Sequence, residues 1–436
     1  MDQTLEATTL RKVYLRLVPF CFLLYILCYV DRINVSFAAL TMNRDLGLTA
    51  YIYGLAAGAF FWGYCLLEIP SNIILEKVGA RIWIARIMVS WGILSACTAF
   101  VTGPWSFFAI RVLIGAAEAG LFPGLLLYFH RWFPQRHRGR VVGWFLMALP
   151  MATALGAPVS TAFLQLDGIA GLHGWQWMYL GEGIPTALIG LTVFFVLTER
   201  PSAAGWLRPE ERAWLDGELA KERRAIEDVR AHTILSVMAN PRVLILAVIF
   251  GGIGMAGVGL VLFLPQILKD IGVSNTEAGL LTAVPYVFGT IAMVVCGHIS
   301  DRTRDRHWIL VVTCGLGCLG LVLGAMLHHS LWVLAAFSVA TAGFYGMKSP
   351  FWPLPSIFLT GPALAAGLAL INSLGNFAGY LGPIVVGYVK DTTGSFEGGL
   401  YALAAAAFVS TVTALGCALW MPRGAAHRVV APVPGD

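Results

Sequence analysis

Long apolar stretches separated by short polar segments dominate the chain. Twelve of these stretches approach the ~20 residues that a helix needs to cross a bilayer, and they lack the strict alternation of β-strands. Lipid offers no hydrogen-bond partners to the backbone, so spanning segments must be helices or a closed barrel, and this pattern favours helices. The predicted spans 1 to 12 cover residues 15–37, 51–75, 82–101, 105–129, 140–164, 175–197, 243–268, 278–299, 308–328, 331–358, 362–389 and 398–420.

Composition supports an all-α membrane protein. Of the 436 residues, 58% are hydrophobic and 12% are charged, whereas a soluble domain has about 25% charged residues. The polar N-terminal segment leads into an apolar run that is too long for a cleavable signal peptide. The eight cysteines lie in apolar runs and form no metal-type pair, so we expect packing residues, no metal site and no cofactor.

The distribution of basic residues predicts the topology. If the N-terminus is cytoplasmic, 22 of the 29 Lys and Arg residues fall in cytoplasmic segments, and three (Arg44, Lys269 and Lys390) fall on the opposite side. By the positive-inside rule, both termini are cytoplasmic. The net charge of +5 follows from this bias, so we expect no nucleic-acid partner. We predict a multi-pass protein of a bacterial inner membrane.

An internal repeat divides the chain into two parts. The loops after spans 2 and 8 share an acid, a base, an arginine and a tryptophan at a separation of 225 residues: Glu76, Lys77, Arg81 and Trp83 match Asp301, Arg302, Arg306 and Trp308. This predicts two pseudo-symmetric six-helix halves, 1–197 and 243–436, with a site between them, as in many secondary transporters. The linker 198–242 contains a predicted amphipathic helix, which lies either on the cytoplasmic membrane surface or in solvent.

Span 4 contains two charged residues, Arg111 and Glu118, inside its apolar run. Each such charge costs roughly 2.5–3.5 kcal/mol in the hydrocarbon core. Seven residues make almost two turns, so both side chains project from one face, about 10 Å apart along the axis. The small residues 115–117 between them allow a neighbouring helix to come close. This face therefore borders protein or a watery cavity.

Span 1 places a second charged pair, Asp31 and Arg32, at a similar depth. Guanidinium groups match the two oxygens of a carboxylate. Arg32 and Arg111 are therefore candidates for binding an anion, although each can instead neutralise a buried acid. Tyr29, Asn372 and Asn376 are candidates for orienting the ligand, with hydrogen bonding between helices as the alternative. Lys348, in a proline-broken part of span 10, either adds positive potential to the cavity or makes a local contact.

The acids Asp31 and Glu118 are candidates for proton coupling. A dry environment raises the pKa of a carboxyl group and a nearby arginine lowers it. A carboxyl that exchanges one environment for the other during a conformational change would bind and release a proton. The alternative is a static ion pair. Four loop residues, Glu76, Arg81, Asp301 and Arg302, are candidates for a cytoplasmic gate.

Several stretches resemble the anion:cation symporter family of the major facilitator superfamily. The resemblance is found in the stretches YVDRINVS (29–36), RVLIGAAEAGLFPG (111–124), GWQWMYLGEGIP (174–185) and INSLGNFAGYLGP (371–383). The stretch 69–92 is similar to bacterial tartrate, 4-hydroxyphenylacetate and phthalate permease-like members. Both loop copies depart from the superfamily pattern G-x-x-x-D-R-x-G-R-R: Asn72 replaces its leading glycine in the first copy, and Arg304 its second glycine in the second. The resemblance implies the same roles for Asp31, Arg32, Arg111 and Glu118.

These features predict a proton-coupled importer of a small organic anion. The substrate is a carboxylate such as tartrate, a sugar acid or an aromatic acid, bound between the halves and moved by alternating access. We expect a monomer in the lipid bilayer with the proton as coupling ion. Sodium coupling, anion exchange, drug efflux and a non-transporting receptor are the alternatives. An enzyme is disfavoured because the sequence lacks a metal cluster, a nucleophile elbow and a phosphate-binding loop.

Overall fold

The computed structural model describes residues 2–227, 240–303, 305–359 and 361–420, and every regular element within these ranges is a helix. Spans 1 to 6 are formed by Asp2–Asp45; Ala50–Gly58 with Phe60–Val78; Ala80–Cys97; Pro104–Glu118 with Leu121–His130; Gln135–Leu146 with Ala148–Leu164; and Gly174–Val196. Spans 7 to 12 are formed by Pro241–Asp270, Asn275–Thr303, Arg306–Met326, Val333–Gly346 with Lys348–Phe351, Gly361–Thr393 and Glu397–Trp420. Residues 228–239 of the predicted linker, Arg304 of the predicted repeat and residues 421–436 lie outside the described ranges.

Within the described ranges, eleven of the spans form helices that are long and apolar enough to cross a membrane. Span 10 falls short of that length because its helix is interrupted between Val333–Gly346 and Lys348–Phe351. Helical hydrogen bonding nevertheless continues, since the N–H of Met347 donates to Gly343 O and that of Phe351 to Met347 O, both at 3.1 Å. The resulting rise of about 28 Å matches the hydrocarbon core. The predicted fold class is therefore confirmed.

The packing of the spans repeats after a shift of six. Span 1 packs on span 5, span 2 on span 4, and span 3 on span 6; likewise span 7 packs on span 11, span 8 on span 10, and span 9 on span 12. Between the two sets, span 2 packs on span 11, span 5 on span 8, and span 1 on span 7. A shift of six also converts the contact between spans 2 and 11 into that between spans 8 and 5. This is the pattern expected of two pseudo-symmetric six-helix halves.

Spans 2 and 4 approach each other at two glycines. A Cβ atom on Gly115 would collide with the carbonyl of Phe60, and one on Gly63 would collide with the carbonyl of Val112. Hydrogen at these positions lets the two backbones touch, as small residues do in membrane helix packing. The contact sets the depth of span 4, and with it the positions of Arg111 and Glu118.

Span 4 breaks directly after Glu118. Gly120 has φ 91°, a conformation that favours glycine. Pro123 has no N–H to donate to the carbonyl of Ala119, and the hydroxyl of Ser71 on span 2 donates to that carbonyl instead, at 2.6 Å. Glu118 is thus the last residue of a helix, held beside span 2.

The two halves meet closely at the end of the bundle that carries Arg44, Lys269 and Lys390. Asp391 of span 11 accepts hydrogen bonds from the backbone N–H groups of Ala50 (3.0 Å) and Tyr51 (2.9 Å), at the start of span 2. The Tyr53 hydroxyl donates to Leu262 O at 3.0 Å, and Lys269 Nζ donates to Leu40 O at 3.1 Å. These contacts seal this end of the interface.

The linker helix Pro209–Glu227 packs on the first half at the opposite end of the bundle. Its apolar side is buried against protein, with Leu215 fully inaccessible. Lys12 of span 1 pairs with Glu211 at 2.6 Å, and Arg138 of span 5 pairs with Glu222 at 2.7 Å. Burial opposes ionisation of Glu211, but hydrogen bonds from Lys12 and from the Arg208 backbone lower its pKa below the ordinary value. Glu211 is therefore charged at neutral pH and holds the helix to span 1.

The close contact between spans 2 and 4 predicts that Gly115→Ala lowers stability. The added methyl group meets a backbone carbonyl that cannot move without shifting span 2, and overpacking of this kind costs about 1–3 kcal/mol. Gly143→Ala is the matched control, because this helical glycine has open space around it and alanine is favoured over glycine by about 1 kcal/mol in a helix. Thermal unfolding of the purified protein in detergent measures both. Equal midpoints for the two variants would contradict the packing argument.

Candidate functional site

A cavity lies between the two halves, and basic side chains are the charged groups in its wall. Of the described residues that line it, Arg32, Arg111 and Lys348 are charged, and none is an aspartate or a glutamate. Aromatic rings cover much of the remaining wall: Tyr25, Tyr29, Phe60, Phe61, Tyr64, Phe122, Phe250, Tyr286, Phe344, Tyr345 and Trp352. The wall thus combines positive charge with apolar rings, a composition that suits an organic anion.

Arg32 and Glu118 form a buried ion pair behind this wall. The Nε of Arg32 donates to Glu118 Oε1 at 2.6 Å, and its Nη2 contacts the same oxygen. Cys28 Sγ donates to that oxygen as well, at 3.0 Å. The Glu118 side chain is inaccessible, whereas 16% of the Arg32 side chain is exposed, toward the cavity. Glu118 therefore holds Arg32 in position from the protein side.

Arg111 lies close to this pair but has few partners. Its Nη2 donates to the Ala57 carbonyl at 3.4 Å, and its Nε and Nη1 are buried without a hydrogen-bond partner among the described residues. The ring of Phe60 links the two arginines, with its centroid 5.0 Å from the Cζ of Arg32 and 5.4 Å from that of Arg111. The structure thus brings Arg32 and Arg111 to one aromatic surface.

Asp31 points away from the cavity, into the first half. Its carboxylate accepts hydrogen bonds from Trp91 Nε1 at 2.6 Å, from Asn34 Nδ2 at 3.1 Å and from the Ser95 hydroxyl. Asn34 Nδ2 also donates to Glu182 Oε2 at 3.0 Å. Among the described residues Asp31 has no ion pair, so Arg32 pairs with Glu118 rather than with its neighbour in sequence.

The polar candidates Tyr29, Asn372 and Asn376 all line the cavity. Asn372 Nδ2 donates to Glu68 Oε1 at 3.0 Å, which joins span 11 to span 2. Tyr29 lies beside Arg32, with 5.1 Å between its ring centroid and the guanidinium carbon. All five residues predicted to contact substrate therefore line one space.

The predicted gate residues Glu76, Arg81, Asp301 and Arg302 are exposed and form no ion pairs within the described ranges. A different acid, Glu199, organises the first loop. It accepts hydrogen bonds from the backbone N–H groups of Ala80 (2.9 Å) and Arg81 (3.0 Å) and pairs with Arg131 at 2.6 Å. Sequence reasoning missed Glu199.

Sequence reasoning also missed part of the Asp31 cluster. Asn34 lies three residues after Asp31, one helical turn away on the same face, so its proximity was available from the sequence. Trp91 and Ser95 of span 3 and Glu182 of span 6 gave no comparable signal, because their approach to Asp31 depends on how spans 1, 3 and 6 pack.

Known proteins resemble this chain along most of its length. The model of the Major Facilitator Superfamily matches residues 21–383. A putative tartrate transporter of Agrobacterium vitis is 46% identical over 424 residues, which cover 97% of this chain and 94% of that protein. A quinolone resistance transporter of Acinetobacter baumannii is 40% identical over 399 residues, which cover 91% and 92%. The solved structure of a bacterial homologue of the human lysosomal transporter Spinster, inward-facing and unoccupied, aligns with a TM-score of 0.74 at 16% identity, over 92% of this chain and 95% of that one.

The buried ion pair predicts non-additive stability changes. Arg32→Met leaves the Glu118 charge buried without a cation, a defect that typically costs 3–5 kcal/mol. Adding Glu118→Gln removes that charge and should restore a large part of the loss. Lys390→Met is the control, because it breaks a pair in which Asp270 is 51% exposed, and such pairs contribute about 0–1 kcal/mol. Thermal unfolding in detergent tests this, and additive losses in the double variant would refute the coupling.

Proposed function

Because the chain belongs to the Major Facilitator Superfamily, and its cavity presents basic groups, we propose that it imports a small organic anion by proton symport. The observation that carries the proposal is the charge of the cavity wall, with three bases and no acid among the described lining residues. A substrate carboxylate would be attracted to this wall, whereas a cation would be repelled. The relative named as a putative tartrate transporter supports a carboxylate substrate.

In this proposal Arg32 and Arg111 bind the carboxylate from the first half. Arg111 is suited to this role because two of its three guanidinium nitrogens are buried without a hydrogen-bond partner among the described residues. Tyr29 borders Arg32, while Asn372 and Asn376 would orient the rest of the substrate from span 11. The rings of the wall would cover its apolar carbon atoms.

Glu118 is the proposed proton carrier. It already occupies the inner side of the Arg32 guanidinium, so it and a substrate carboxylate compete for the same positive charge. Protonation of Glu118 removes the competing anion and frees Arg32 for the substrate. Proton binding and substrate binding then strengthen each other by the same factor, as linkage requires.

Asp31 is the proposed second coupling residue. Neutral donors surround its carboxylate, and Glu182 lies on the other side of Asn34. A proton could be held in this cluster without contact between Asp31 and the substrate. The two acids would then have different roles. Protonation of Glu118 would depend on substrate bound at Arg32, and protonation of Asp31 would depend on how spans 1, 3 and 6 pack.

The bias of basic residues favours an orientation with both termini in the cytoplasm of a bacterial cell. The end at which Asp391, Tyr53 and Lys269 join the two halves then faces outward, and we propose an inward-facing state in which the cavity opens to the cytoplasm. In the opposite state, Glu76 and Arg81 would meet Asp301 and Arg302 as a cytoplasmic gate. We propose that the protein works as a monomer in the inner membrane, with the proton as coupling ion and without a further cofactor or a nucleic-acid partner.

Efflux of an aromatic compound is the second candidate function. It is favoured by the number of rings in the wall and by the relative named as a quinolone resistance transporter. The three bases argue for an anionic substrate in either direction of transport. The direction of transport is decided by whether the substrate moves together with protons or in exchange for them.

The proposal predicts external alkalinisation on addition of substrate. Proteoliposomes in weak buffer would receive tartrate, galactonate, 4-hydroxyphenylacetate and phthalate, one at a time. An inward symport with protons removes protons from the outside, so external pH rises with a transported anion. Acidification would indicate exchange for protons, as in efflux. Uptake that follows a sodium gradient or an opposing anion, without a pH change, would overturn proton coupling.

Glu118→Gln separates coupling from binding. This variant mimics the protonated acid permanently, so we expect loss of uptake against a gradient while exchange of internal for external substrate continues. Glu210→Gln is the matched control, because Glu210 lies on the linker helix with 61% of its side chain exposed. Equal loss of uphill uptake and exchange in Glu118→Gln would refute its assignment as the coupling residue.

A further inference from the structure

Lys348 is the base in the cavity wall that the proposed binding scheme leaves unused. Its side chain is half-buried, and its ammonium lies 4.7 Å from the centroid of the Tyr345 ring. Within the described part of the chain it has no carboxylate at ion-pair distance and donates no hydrogen bond. The charge of Lys348 is thus directed at the cavity without a counter-ion.

The other two basic groups of the cavity wall have polar partners that Lys348 lacks. Arg32 is paired with Glu118, and Arg111 donates a hydrogen bond to the Ala57 carbonyl, although it too has no ion pair among the described residues. Withdrawing an ammonium from water without an anion is unfavourable, and contact with one aromatic ring compensates for only part of the loss. Arg32 lines the same cavity, and like charges in a dry space repel each other. An anionic group from the substrate would relieve both effects.

The position of Lys348 indicates what kind of substrate would do so. It lies on span 10 in the second half, whereas Arg32 and Arg111 lie on spans 1 and 4 in the first half. We propose that Lys348 determines specificity by binding the second carboxylate of a dicarboxylate, whose first carboxylate is bound by Arg32 and Arg111. This inference rests on the proposed function, because it uses the same cavity and the same two arginines.

A dicarboxylate pairs with the basic groups of the cavity wall more completely than a monocarboxylate that carries an aromatic ring. The rings of the wall would accept either compound, so they do not discriminate. A monocarboxylate bound at the arginines leaves Lys348 without a partner, and discrimination of this kind arises when a substrate leaves a buried polar group unpaired. A dianion contacts both halves at once, so its binding also favours their closure around it.

Matched substrate pairs test the assignment. Tartrate and threonate share a four-carbon chain with the same two inner hydroxyls, and threonate has a hydroxymethyl group in place of one carboxylate. Phthalate and benzoate differ by one carboxylate on a ring. Proteoliposomes would contain the wild type, Lys348→Met, Lys348→Arg or Lys221→Met. The last is the control, because Lys221 is on the linker helix with 77% of its side chain exposed.

We expect the wild type to prefer the diacid in at least one pair by about tenfold or more in the KM for uptake, the effect of one charge-assisted contact. Lys348→Met should bring that ratio close to one by weakening the diacid, Lys348→Arg should keep most of the preference, and Lys221→Met should match the wild type. Ligand-induced stabilisation in detergent gives a readout that does not require translocation: diacids should raise the Tm of the wild type more than the matched monoacids do, and Lys348→Met should remove that difference.

The outcomes separate the two proposals. If the wild type transports no organic anion, the proposed function fails and this inference fails with it. If the wild type takes up monoacids as well as diacids, or Lys348→Met retains the preference, the proposed function stands and the role of Lys348 is refuted. Equal loss of both members of a pair in Lys348→Met, together with an unchanged Tm response to diacids, would also refute a role in specificity.

Discussion

A single buried contact, between Arg32 and Glu118, constrains how the first half is arranged around the cavity. Either charge alone in this environment would cost several kcal/mol, so spans 1 and 4 must present the two groups to each other. Glu118 can meet Arg32 because span 4 breaks directly after it, and Ser71 of span 2 satisfies the carbonyl that the break exposes. Three spans are thus fixed relative to one another by the requirement to keep one pair of charges together.

The same contact makes the cavity wall sensitive to its contents. Arg32 faces Glu118 on one side and the cavity on the other, and the rings of Tyr29, Phe60 and Tyr64 surround its guanidinium group. In such surroundings charges interact more strongly than they do in water. An anion that enters the cavity therefore changes the balance of a pair on which the packing of spans 1, 2 and 4 depends.

The sequence was sufficient to predict the spans and the cavity residues, for physical reasons. Lipid permits few backbone solutions, so hydropathy alone located twelve crossings. The pitch of a helix placed Arg111 and Glu118 on one face, and charges inside a span must avoid lipid. Asn372 and Asn376, one turn apart, likewise line the same space as the arginines.

Other features depend on contacts between distant parts of the chain, which hydropathy and helix pitch do not specify. Asp31 and Glu118 were equivalent candidates for pairing with Arg32, and the packing of span 4 against span 1 selects Glu118. The linker helix was expected on the membrane surface or in solvent, but its apolar side packs on the first half, a contact that composition does not distinguish from a lipid surface. Glu199 stabilises a loop more than a hundred residues away, a distance over which local patterns carry no information.

The hydrogen bonds from the start of span 2 to Asp391 differ from the buried ion pair in their exposure to solvent. Asp391 is exposed, so water can replace each backbone N–H when the halves part, and the net value of such hydrogen bonds is small. Exposed hydrogen bonds of this kind align the two halves as they close but resist their separation only weakly. Salt concentration and solvent composition would then change how long this end of the interface stays closed. Protons and ligand would act instead on the buried pair of Arg32 and Glu118.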